Sequence, residues 1–80
     1  MTNLDLIRMA VIDNATLCEF SYHGKDGNID PWYDGNPDSF LLWFDGKEQL
    51  VHGFAEVEST PFFDGHSLLE IEGQLTGIDW

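Results

Sequence analysis

The chain has 80 residues, 42% of them hydrophobic, and its 15 acidic residues face only Arg8, Lys25 and Lys47, for a net charge of −12. That length is room for one domain with a thin core, and a lone cysteine, Cys18, excludes an intrachain disulfide. The charge excludes direct binding to nucleic acid phosphates, which needs Lys and Arg to release counterions, and it disfavours anionic membrane surfaces.

No apolar run approaches the roughly 20 residues needed to span a bilayer. The stretch Met1–Asn14 carries Asp5, Arg8 and Asp13 and lacks a signal-peptide core. With the single thiol, these features predict a cytoplasmic protein.

In chain order, Thr2–Asp13 reads as an amphipathic helix. Thr2 and Asp5 have the spacing of a capping box, Leu4, Ile7 and Val11 share a face, and Asn14 is a stop that tolerates the left-handed conformation. Thr16–Tyr22 is a strand in which Cys18, Phe20 and Tyr22 alternate with Glu19 and Ser21. His23–Asn28 is turn chemistry. A short strand at Asn28–Asp30 returns antiparallel and ends or lies at an edge at Pro31, which cannot donate to a ladder.

Asp34-Gly35-Asn36-Pro37-Asp38 is a loop. Phe40–Phe44 is an unbroken apolar run, predicted as a central strand covered on both faces. Asp45-Gly46 marks a tight reversal into Gln49–His52. Gly53–Ser59 is predicted as a short helix, with a strand as the alternative. Pro61 breaks the chain and Phe62-Phe63 plug the core from a loop. Ser67 and Glu70 make a second capping box for a helix to Leu75, whose Leu68, Ile71 and Leu75 share a face. Gly73 frays that helix and Gly77 ends it, leaving Ile78-Asp79-Trp80 to pack back or hang free. The repeated Phe-Asp-Gly (Phe44–Gly46, Phe63–Gly65) is two turns built the same way, not a repeat architecture.

The chemistry-bearing motifs are few. An EF-hand register starting at Asp26 puts Pro31 where glycine is needed, and one starting at Asp30 fails at Trp32 and Leu41. An irregular calcium site at Asp30, Asp34 and Asp38 is the remaining cation reading. His23, His52, His66 and Cys18 lack the pair spacing of structural zinc, so no metal ligands or cofactor are assigned. No nucleophile elbow, phosphate loop or metalloprotease helix is present, and no catalytic residue is assigned. Cys18 on an apolar strand face reads as a buried, inert thiol. In Asp30-Pro31-Trp32-Tyr33-Asp34-Gly35, two adjacent aromatics cannot both face one core, so one of them is expected at the surface. Exposed aromatics ringed by charge are typical of binding hot spots.

The order of features carries a resemblance. An N-terminal helix is followed by Phe20-x-Tyr22-x-Gly24-x-x-Gly27-x-Ile29-x-Pro31. Then come the aromatic strand Phe40–Phe44 and Thr60-Pro61-Phe62-Phe63-Asp64-Gly65-His66-Ser67-Leu68-x-Glu70-Ile71. This string resembles small uncharacterised proteins of bacteria and their mobile elements; its motifs are turn and core residues, and the resemblance implies no activity. The first half also resembles the opening of WYL domains, which are sensor modules; the basic residues such modules use toward nucleic acid are missing here.

The expected fold is α+β: a three- to five-stranded, mainly antiparallel sheet with an N-terminal and a C-terminal helix on one face. The expected function is a non-enzymatic protein-interaction module of inhibitor, immunity or regulatory type. It presents Trp32, Tyr33, Asp34, Asp38, Glu56 and Glu58 to a basic partner protein. The alternatives are a small-molecule or calcium-binding module at the Asp30–Asp38 loop, and a structural domain whose charge serves solubility. A homodimer is left open by Trp80 and by an edge strand near Asn28.

Overall fold

The computed structural model describes residues 1–80. Helix α1 (Asn3–Arg8) runs directly into a π-helical turn at Met9–Asp13. Four strands follow as a meander: β1 (Cys18–Tyr22), β2 (Lys25–Pro31), β3 (Ser39–Phe44) and β4 (Lys47–His52). Helix α2 (Phe54–Ser59), helix α3 (Leu68–Ile71), a 3₁₀ turn (Glu72–Gln74) and β5 (Thr76–Asp79) complete the chain. All five strands form one antiparallel sheet in the order β4-β3-β2-β1-β5.

The starts of α1 and α3 use the predicted capping boxes. Thr2 Oγ1 accepts from the Asp5 amide at 3.1 Å and Asp5 returns by accepting from the Thr2 amide at 2.9 Å. Ser67 and Glu70 repeat the exchange at 3.3 and 3.0 Å. At its C-terminal end α1 widens, and the Asn14 amide donates to the Met9 carbonyl. Asn14 stops the helix, but in a right-handed conformation (φ −105°); the left-handed residue is Ala15, at φ 47°.

The hairpin reversals are short because each is a pair of left-handed residues, which matches the twist of the strands they join. His23-Gly24 (φ 51° and 76°) and Asp45-Gly46 (49° and 83°) close two of them. Asp64-Gly65 (54° and 80°) repeats the device under the Phe63–His66 bridge, so the two Phe-Asp-Gly segments are indeed the same turn.

The core is a cluster of 16 buried residues between one sheet face and the helices. Phe63 is fully buried at its centre, with the rings of Phe20, Phe44 and Phe62 at 5.7, 5.6 and 5.3 Å. Asn3 ties the chain ends together by donating to the Glu72 and Leu75 carbonyls at 2.7 and 3.2 Å.

Four expectations are corrected. The turn at His23 is only two residues long, and Lys25–Gly27 already belong to β2. Strand β2 lies in the middle of the sheet, so no edge exists near Asn28; the edges are β4 and β5. Leu41 and Trp43 are only half-buried, so β3 is covered on one face, not two. Ile78 and Asp79 do pack back, as one of the two expected alternatives, but they do not follow a helix running to Leu75. The helix tightens into a 3₁₀ turn at Glu72, and the released chain pairs with β1 as β5.

Candidate interaction surface

Strand alternation gives the sheet two faces with opposite chemistry. Cys18, Phe20, Tyr22, Ile29, Phe40, Leu42, Phe44 and Val51 point into the core. Glu19, Ser21, Asp26, Asn28, Asp30, Leu41, Trp43, Glu48, Leu50 and Asp79 point the other way, and no helix or loop covers most of them.

The register places these outward side chains in rows. One row crosses the whole sheet as Glu48, Trp43, Asn28, Glu19 and Asp79. The next places Leu50 opposite Leu41 and Leu41 opposite Asp30. The β3–β4 half therefore carries Leu41, Trp43 and Leu50 beside a single carboxylate, Glu48, and the β1–β2–β5 half is carboxylate-rich. A groove of about 390 Å³ lies over the β1–β2–β5 half and is bounded on the β3 side by Trp43, with Glu19, Asp26, Asn28 and Asp79 among its lining.

None of the three basic side chains reaches this face. Arg8 lies over the Phe54 ring at 4.7 Å. Lys25 is held by Asp64 at 3.2 Å and Asp45 at 3.7 Å, and these contacts raise its pKa, the Asp64 hydrogen bond most. Lys47 stands opposite Phe44, on the core-side register.

The expected site residues divide. Trp32 and Tyr33 are 47% and 79% exposed, so both aromatics are at the surface where only one was expected. The Trp32 amide donates to the Ser39 carbonyl, extending the β2–β3 ladder by one rung and placing Trp32 at the end of the open face. Asp34 is not a free carboxylate. It accepts from the Ser39 hydroxyl at 2.6 Å and the Asn36 amide at 3.1 Å, and its other oxygen lies 3.4 Å from the His52 ring. These bonds, the Ser39 hydroxyl foremost, hold its pKa below the ordinary value.

Glu56 is similarly occupied, accepting from the His52 amide at 3.1 Å. The Asp38 carbonyl accepts from the Gly53 amide at 2.7 Å, so the loop and the start of α2 form one unit around His52. Asp38 and Glu58 make no side-chain hydrogen bond or ion pair. No three acidic, histidine or cysteine side chains converge to hold a metal ion, so Asp30, Asp34 and Asp38 are not a ligand set. Cys18 is fully buried on the core face, and burial pushes its pKa up to about 11.

No protein-family model, no curated protein and no solved structure matches the chain. No helix is long and apolar enough to cross a membrane.

Reading the residues as a sequence missed the open face because its acids lie on four different strands. A signal was present in the alternation: Glu19 between Cys18 and Phe20, and Asp26, Asn28 and Asp30 at every second position of β2. It becomes visible only once the register is known.

Proposed function

We propose that this protein is a non-enzymatic interaction module that binds a basic partner protein through the open face of its sheet. The observation that carries the reading is the segregation of charge. Glu19, Asp26, Asp30, Glu48 and Asp79 share a face that has no Lys or Arg. Surfaces with one sign of charge steer oppositely charged partners and reject like-charged ones. Trp32 ends that face, and with the exposed Tyr33 next to it in the chain it supplies aromatic area typical of interface anchors. The involvement of Asp34 in holding its own loop weighs against a cation site there.

The test is capture from a source lysate with tagged protein at ionic strengths of about 0.01 M and about 1 M, where the Debye length is roughly 30 and 3 Å. A basic protein held at low salt and released at high salt is the expected result. Retention of nothing, or only of partners indifferent to salt, would leave solubility as the role of the charge.

A further inference from the structure

The sheet has helices on one side only, and its open side is not uniformly polar. Leu41 faces Leu50 across β3 and β4, Trp43 lies two residues along from Leu41, and Trp32, bonded to Ser39, lies one outward step beyond Asp30. Leu50 and Trp32 remain 37% and 47% exposed. A soluble domain gains nothing from this arrangement, because apolar area on a sheet is stabilising only when another layer covers it.

The acidic half carries an unfavourable feature as well. Glu19 and Asp79 are directly paired across β1 and β5, and like charges in that position repel. A cationic group over the pair would relieve the repulsion. The open face of a second copy would not, since it carries no Lys or Arg.

Dimensions narrow the occupant further. Adjacent strands lie about 4.8 Å apart, so five of them span roughly 19 Å. An α-helix with its side chains is about 10–12 Å wide. A helix seated over β3 therefore spans β4 to β2, with one flank above Asp26 and Asp30 of β2 and with Glu19, one strand further, at the reach of a long Lys or Arg side chain.

Resting on the reading that this face binds a basic partner, we propose that the occupant is an amphipathic basic helix. Its aliphatic seam covers Leu41, Trp43 and Leu50, and its Lys/Arg flank lies over Asp26 and Asp30 and reaches toward Glu19, the inner member of the repelling pair.

The test is a ¹⁵N-resolved NMR titration of the full chain at low ionic strength with three synthetic helical peptides. The first has a leucine seam and a Lys/Arg flank, the second keeps the flank but has glutamine in the seam, and the third keeps the seam but has glutamate in the flank. The expected result is saturable shifts at Asn28, Leu41, Leu50 and the Trp43 indole with the first peptide. The glutamine seam weakens binding at least about tenfold, consistent with the loss of a few buried methylenes, and the glutamate flank abolishes it.

Equal binding of the first two peptides would overturn the amphipathic-helix assignment while leaving the basic-partner reading intact. Binding of the glutamate-flanked peptide would sink both. Absence of binding by the first peptide, shifts centred on α1 and α3, or self-association through the open face without peptide would each overturn the assignment. The variant Leu41→Gln/Leu50→Gln, which changes only outward-facing side chains, should keep the wild-type spectrum elsewhere and lose preference between the first two peptides.

Discussion

Gly27 lies on the core side of β2 between two aromatic rings. A β-carbon there would stand 2.8 Å from Phe20 Cε1 and 3.1 Å from Phe44 Cδ1. Its backbone is ordinary extended chain, so glycine is required by space, as happens in a strand when something approaches closely. Gly27→Ala should therefore destabilise the fold by about 1–3 kcal/mol, the usual cost of overpacking. Urea denaturation measures it; an unchanged midpoint would mean the rings move aside at no cost. The sequence alone assigned Gly27 to a turn, because Gly24, Asp26, Gly27 and Asn28 look alike as turn formers. What distinguishes Gly24, at φ 76°, from Gly27 is backbone conformation, which composition does not carry. By contrast the burial of Cys18, Phe20 and Tyr22 was legible, since two-residue alternation records it directly.

At the scale of elements, the legible parts were those with local chemistry. Both capping boxes are contacts between residues three apart, so Thr2–Asp5 and Ser67–Glu70 could be read from spacing. Strand β5 could not, because Thr76–Asp79 is short, contains Gly77, and owes its existence to pairing with β1 far away in sequence. The same local contacts set the acid response. Asp5 and Glu70 are held below their ordinary pKa values of 3.8 and 4.5, in each case first by the backbone amide of the cap residue. A carboxylate with a depressed folded-state pKa contributes stability above its unfolded value and loses it as pH falls through the folded one. The thermal midpoint of the wild type should therefore exceed that of Glu70→Ala at pH 6, and the gap should close as pH drops below about 4. A gap that persists at low pH would show that Glu70 acts through packing instead of its charge.

For the whole molecule, the sheet divides the chain into an apolar, helix-covered side and an uncovered side bearing carboxylates and a few large apolar residues. A net charge of −12 by itself serves solubility or partner binding equally well; what separates the two is placement. The overall α+β class and the N- and C-terminal helices were readable from pattern, whereas the face that matters emerges from the register of five strands. The most direct measurement compares two triple variants that remove the same charge. One is Glu19→Gln/Asp26→Asn/Asp79→Asn on the open face; the other is Asp13→Asn/Asp38→Asn/Glu58→Gln elsewhere. Each is titrated against the basic protein retained at low salt. The account predicts that the open-face variant binds at least about tenfold more weakly than wild type, roughly 1.4 kcal/mol or more, while the other stays within about threefold. Equal losses would mean that total charge, not the open face, governs binding, and would contradict the account.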